Sequence, residues 1–238
     1  MNRILVVTLC AVLLGCNGNN SDNYVRSDNP KFSISFDDHG TWFWYKYALP
    51  VLQTYGVKAT FFVNYNNIAP DNLKFLDWLH EAGQIVGHHS CSHQSATTYS
   101  ENVQAYMLYE VEACNNRMKQ YGPITRFAYP YGHRNSVTDA ALLDVFDSVR
   151  GFHSNWQQPV FDDNEGMSID AKFMDWNAYY NAVDYAVENG LSLHVTTHDV
   201  YDDCEKAKAK GVAICTDDLA KVLDYAQSKG MKMSDTPE

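Results

Sequence analysis

Lys31-Phe32-Ser33-Ile34-Ser35-Phe36-Asp37-Asp38-His39-Gly40 is the stretch on which the reading of this chain turns. Phe32, Ile34 and Phe36 alternate with Ser33 and Ser35, the two-residue period of a half-buried β-strand. The strand ends on two adjacent carboxylates, and buried carboxylates need a partner. His88-His89-Ser90-Cys91-Ser92-His93 offers one. One aspartate with His89 and His93 makes an oxygen/nitrogen donor set suited to a zinc-like ion, and the other aspartate is left free. An ion that holds water beside a spare base is the minimum apparatus for hydrolysis.

Outward from that strand, the pattern predicts helices separating short strands. A helix is expected near 45–55, then a β-rich run at 57–63. Leu73, Leu76 and Leu79 share one face of a helix over 70–82 that has Pro70 near its start. A short strand over 84–87 delivers His88 and His89. Val103, Met107, Val111, Cys114 and Met118 mark a long helix over 100–120. A strand over 124–129 is stopped by Pro130 and Gly132. Ser136-Val137-Thr138-Asp139 reads as a capping box, and 149–152 as a further strand. Residues 154–174 show no period and read as a long loop or lid. A helix over 175–189, a strand over 191–197, a helix capped by Thr216 and a last strand at 231–233 complete the chain. Strands alternating with helices imply an α/β fold built on a parallel sheet. Reactive residues follow Phe36, Val86, Tyr129 and Val195, the placement expected of a (β/α) barrel with its site at the C-terminal ends of the strands.

The first residues read differently. Arg3 precedes an apolar run over 4–14, too short for a spanning helix of roughly 20 residues. Leu13-Leu14-Gly15-Cys16 resembles a bacterial lipobox, which implies a signal peptide over 1–15 and a lipid anchor on Cys16. Residues 16–29 form a polar tether, and 30–238 the catalytic domain. No aspartate follows Cys16 directly, so the expected location is the bacterial cell envelope, on its outer membrane. The net charge of −11 and the lack of a basic patch exclude nucleic acid as a partner on electrostatic grounds. Cys91, Cys114, Cys204 and Cys215 form either two disulfides, with Cys204–Cys215 the first pair expected, or remain buried thiols.

At these residues the chain resembles the polysaccharide deacetylase family, the NodB-homology carbohydrate esterases, as a divergent member. The resemblance implies a distorted or incomplete (β/α) barrel that removes acetyl groups from chitin-like sugars, peptidoglycan or xylan. Ser35 to Gly40 resembles the family's Thr-Phe-Asp-Asp-Gly run, which makes Asp37 the general base and Asp38 a metal ligand. His89 to His93 fits the His-Ser/Thr-x-x-His element and supplies the other two ligands. Phe127 to Gly132 resembles the third element, implying that the Tyr131 amide helps bind the oxyanion. Leu193 through His198 resembles the last, with Leu193 lining the acetyl pocket and His198 as general acid. The implied cofactor is one divalent ion, zinc first, with cobalt or nickel as alternatives.

The chain departs from the family pattern in places. His39 stands where the family has glycine, which widens the turn and can bring His39 toward the metal. Ala128 occupies the position of the family's base-orienting arginine, and Arg126 lies on the same strand face as a candidate substitute. The fourth element, an aspartate that tunes the catalytic histidine, has no counterpart, although Asn155-Trp156 occupies part of that space. His194 competes with His198 as the acid but lies deeper, where it reads as a core histidine; His88 competes with His89 in the same way. Trp42, Phe43 and Trp44 either stack on a sugar ring or pack beneath the barrel rim. Tyr129, Pro130 and Trp156 complete the candidate substrate contacts. The function expected is metal-dependent removal of N-acetyl groups from an acetylated polysaccharide or oligosaccharide. An O-acetyl esterase and a non-catalytic glycan-binding lipoprotein are the alternatives. No His-Glu-x-x-His or Gly-x-Ser-x-Gly motif supports a peptidase or serine esterase.

Overall fold

The computed structural model describes residues 28–151, 160–162, 166–170 and 175–235, the two middle stretches by their backbone. The residues expected to form a signal peptide, nearly all of those expected to form a tether, Asn155 and Trp156 lie outside the described residues. Five parallel strands follow in order: β1 (Lys31–Asp38), β2 (Thr60–Val63), β3 (Ile85–His88), β4 (Arg126–Ala128) and β5 (Ser148–Arg150). β6 (Val160–Asp162) and β7 (Gly166–Asp170) pair antiparallel, and β8 (Leu193–Thr197) lies between β7 and β1. β9 (Val200–Tyr201) and β10 (Ile214–Cys215) form a separate two-stranded ladder, and β11 (Lys232–Met233) joins the start of β1. The main sheet runs β5-β4-β3-β2-β1-β8-β7-β6 and, among the described residues, its two ends do not pair with each other. This is a half-barrel with helices on its outer face, the incomplete (β/α) barrel expected from the sequence.

Alternation along β1 decides which side faces what. Phe32, Ile34 and Phe36 are fully buried under the helices, and Phe36 stacks on Phe61 at 4.9 Å. Truncating one such aromatic costs about 3–5 kcal/mol, a large part of a domain's net stability. A one-residue slip would turn all three onto the concave face, so the apolar face locks the register. The same lock commits Ser33, Ser35 and Asp37 to the concave side. Helix Leu73–Glu81 buries Leu76 and Leu79, and helix Thr216–Ser228 buries Leu219, Val222, Leu223 and Ala226, both as their periodicity predicted.

Several expectations need correction. The stretch read as a loop contains the β6–β7 hairpin, because Met167 and Ile169 alternate with Ser168 and Asp170 over only five residues before pairing with β8. Helix Ser136–Leu143 is capped one residue earlier than expected. Asn135 Oδ1 accepts from the Val137 and Thr138 amides at 3.0 Å, and Thr138 Oγ1 accepts from the Asn135 amide at 3.0 Å. Thr216 is the first residue of its helix, preceded by Cys215 as the cap position. Helix Cys204–Lys210 and the β9–β10 ladder had no legible period. Both disulfides are formed, Cys91–Cys114 and Cys204–Cys215.

Candidate active site and metal centre

Strand alternation alone would send Asp37 and Asp38 to opposite faces. Asp38 instead adopts φ 90°, a left-handed turn uncommon outside glycine, and its carboxylate swings to the C-terminal end of the sheet. Asn64, just past β2, holds that turn: its amide donates to the Asp38 carbonyl at 3.0 Å and its Nδ2 to Asp38 Oδ1 at 3.2 Å. His39 is exposed and hydrogen-bonds through Nδ1 to Asn64 Oδ1 at 3.1 Å. It therefore braces Asn64 and stands outside the ligand cluster.

His89 and His93 come from the loop after β3. Ser90 and His93 also take positive φ, and Ser90 Oγ accepts from the His93 amide at 2.8 Å, so the loop turns back on itself. His89 Nδ1 donates to the Ala128 carbonyl at 2.8 Å, which leaves Nε2 as the lone-pair atom. His89 Nε2 and His93 Nε2 approach Asp38 Oδ1 at 3.6 and 3.2 Å. Donors around a tetrahedral ion with bonds of about 2.0–2.1 Å lie roughly 3.3 Å apart, so this trio fits a zinc-like ion. Burial pushes the pKa of His89 down to about 4 and lowers that of His93, so both rings are neutral and need lose no proton to bind a metal.

Asp37 stays out of the trio and is buried. Burial raises its pKa, but the opposing charge of Arg150 outweighs that and holds the carboxyl below the usual range. Arg150 Nη2 sits 2.6 and 2.7 Å from the two Asp37 oxygens. Arg126, the substitute considered from the sequence, points elsewhere: its Nη1 donates to Thr60 Oγ1 at 2.9 Å and to the Asp235 carbonyl at 2.6 Å.

His198 lies one residue past β8, with Nε2 4.0 Å from Asp38 Oδ2. His194 is deeper, its two ring nitrogens within 2.7 and 2.9 Å of Ser33 and Ser35 Oγ. His88 packs outward against Phe127 and Phe146. Tyr131 is 58% exposed with φ 61°, its ring edge-on to His93 at 4.5 Å. Trp42 is half-buried, edge-on to Phe43 and Tyr47.

Four residues considered as substrate contacts offer no face to a ligand. Trp44 is fully buried and donates through Nε1 to the His198 carbonyl at 2.8 Å, because it shares a helix face with Ala48 and Leu52. Tyr129 is buried with its hydroxyl on Asp139 at 2.8 Å, and Pro130 and Leu193 are buried as well. Trp156 lies outside the described residues.

The profile of the polysaccharide deacetylase family matches residues 25–145, just over half of the chain. The chain belongs to that family. A family 4 carbohydrate esterase from Streptomyces lividans, solved with acetate, is similar with a TM-score of 0.59 and 19% identity, over 87% of this chain and 92% of that one. The chitin deacetylase of the fungus Colletotrichum lindemuthianum gives 0.57 and 18%, over 88% and 87%. A family 4 pseudoenzyme from Bacillus anthracis gives 0.51 and 18%, over 86% of this chain and 63% of that one. At such identities these likenesses concern the fold. No curated protein matches by sequence.

Sequence reasoning about this polysaccharide deacetylase family member missed Arg150, Asn64 and Glu110. Glu110 is a buried carboxylate that accepts from the Ser92 amide at 2.9 Å and from Ser92 Oγ at 2.6 Å, inside the ligand loop. Arg150 was findable: it ends a strand, where the other reactive residues also lie, and the pattern lacked one cation.

Proposed function

We propose that this chain is a metal-dependent hydrolase that removes N-acetyl groups from an acetylated polysaccharide or oligosaccharide. Asp38, His89 and His93 would hold one divalent ion, zinc first among the candidates. When bound, that ion supplies a Lewis acid and lowers the pKa of its water. The observation that carries the reading is Asp37: a buried carboxylate, outside the ligand trio, kept ionised by Arg150 at 2.6 Å. Neither holding an ion nor holding a sugar needs such a base. Asp37 accepts a proton from water as its oxygen attacks the acetyl carbon. The Tyr131 amide, nominated by the family pattern, faces the charge that develops on the carbonyl oxygen. His198 donates a proton to the leaving nitrogen as the C–N bond breaks, which releases acetate and a free amine.

The O-acetyl esterase alternative draws on two departures, the missing arginine and the missing fourth-element aspartate; Arg150 beside Asp37 speaks against the first and leaves the second standing. On sequence grounds alone, we also propose anchoring through a lipid on Cys16 at the bacterial outer membrane.

The test is acetate release by the zinc-loaded protein from N-acetylated chitooligosaccharides and peptidoglycan fragments, against O-acetylated xylan, with a chelated control. Chelator-sensitive release from the N-acetylated substrates supports the proposal. Release from xylan alone favours the esterase, and no release despite stoichiometric metal favours the glycan-binding reading.

A further inference from the structure

Ala128 and Arg150 are register partners on β4 and β5, so their side chains stand next to each other on the concave face. Ala128 is fully buried and small. From β5, an end strand of the sheet, Arg150 reaches back over that gap to Asp37 on β1, across the mouth of the half-barrel.

The reach rests on a seat. Phe62 of β2 lies beneath the guanidinium, ring centroid to Cζ 4.9 Å. That ring lies across Gly87 of β3, where a Cβ would meet Phe62 Cδ1 at 2.5 Å, so only glycine leaves room for it. Arg150 Nη1 donates to the Gly151 carbonyl at 3.2 Å, which fixes the far side of the fork. Nη2 is left between the two Asp37 oxygens. Gly87, Phe62 and Arg150 thus form a stack that ends on the base.

We infer that Arg150 is the positioning residue for Asp37, and that an arginine placed at position 128 would do the same work from the neighbouring strand. The inference rests on the hydrolase reading above and adds the residue that orients its base. A plain bracing role would predict a loss of stability alone. A positioning role predicts a loss in kcat with KM kept, because the arginine touches the base and no substrate.

The experiment compares Arg150→Met, Arg150→Lys, Ala128→Arg/Arg150→Met and the charge control Arg126→Met with the wild-type protein. The readouts are kcat and KM for acetate release, bound metal, and thermal midpoint. Arg150→Met is expected to lose about 100-fold in kcat, the scale of a misplaced catalytic group, with KM and metal content unchanged. Arg150→Lys should fall in between, since an ammonium lacks the planar fork. The double variant should recover most of the loss in both kcat and midpoint, and Arg126→Met should keep wild-type kcat. Should Arg150→Met fail to fold, the Lys variant and the double variant carry the test. An active wild type whose Arg150→Met variant keeps its kcat would overturn this inference alone, as would a double variant that folds and binds metal without regaining rate. A wild-type protein that releases no acetate would overturn the hydrolase reading and this inference with it.

Discussion

Glu110 clamps Ser92 from the helical segment opposite the ligand loop. Its two carboxylate oxygens take the Ser92 amide and hydroxyl at 2.9 and 2.6 Å, while its own carbonyl accepts from the Cys91 amide at 2.7 Å. The loop between His89 and His93 carries two left-handed residues and would not hold this shape unaided. Removing a direct partner of a metal ligand typically costs 10–100-fold in affinity. Glu110 acts one step further out, through Ser92 and Cys91, so Glu110→Ala should weaken zinc binding by up to about 10-fold. Glu110→Gln, which keeps one acceptor, should lose less. Competition with a fluorescent chelator measures both, and an unchanged affinity in Glu110→Ala would remove the clamp from the account.

Cys91 lies between the two histidines and is tied to Cys114 across 23 positions of chain. Closing a loop of that size in the unfolded chain contributes about 3 kcal/mol in the chain-entropy treatment. Cys91→Ala/Cys114→Ala should lower unfolding stability by roughly that amount and weaken metal binding as well. Denaturant titration and metal competition on the same protein separate the two effects. The Cys204–Cys215 bridge staples the helix after β9 to β10, so its removal should lower stability and leave metal affinity alone.

Asp37→Asn should abolish acetate release and retain metal, because Asp37 is not among the clustered donor atoms. His93→Ala should lose both. Elemental analysis paired with turnover checks the contrast. Unchanged turnover in Asp37→Asn would sink the assigned base.

Burial pushes both His88 and His194 down to a pKa of about 3. Free histidine titrates near 6.5, so between the two values the unfolded chain binds protons that the folded chain refuses. Their contribution to stability is complete above about 6.5 and is lost as pH falls toward 3. The lowered carboxyl of Asp37 acts in the same sense at the acid end. The metal-free protein should therefore lose stability steadily from pH 7 to pH 4, each histidine adding a slope of up to about 1.4 kcal/mol per pH unit. Urea melts across that range test it. His194→Gln should flatten part of the slope, and a stability independent of pH would show that these rings are protonated in place.

What was legible in the sequence was local. The β1 alternation fixed Asp37 and Asp38 at a strand end, and the four-residue spacing of His89 and His93 put two rings on one loop. Arg150 stands 113 positions from Asp37, and only the parallel register of β1 to β5 relates them. No spacing rule reaches that far. Arg126 was the nearer cation in sequence, and alternation put it on the correct face; but it sits one pair of residues too deep and goes to Thr60. Trp44, beside Trp42, carries two readings from sequence, stacking on a sugar ring or packing beneath the rim. Trp44, Ala48 and Leu52 at four-residue steps were the signal that it belongs to the core.

Trp44 gives the sharpest contrast between the two readings of an aromatic near a sugar site. Its Nε1–H donates to the carbonyl of His198, the residue proposed above to protonate the leaving group, and its ring packs on Phe36 and Phe61. Trp44→Phe keeps much of the packing and removes the donor, leaving a partly buried carbonyl without its partner, a loss of about 1–3 kcal/mol. The chain at His198 is then free to shift, and proton delivery should suffer before binding does. The expected result is kcat lowered several-fold to about 100-fold with KM unchanged, and metal content intact. Had Trp44 stacked on the substrate, the same change would raise KM and leave kcat near the wild-type value. Steady-state kinetics on one variant separates the two, and a rise in KM alone would return Trp44 to the sugar.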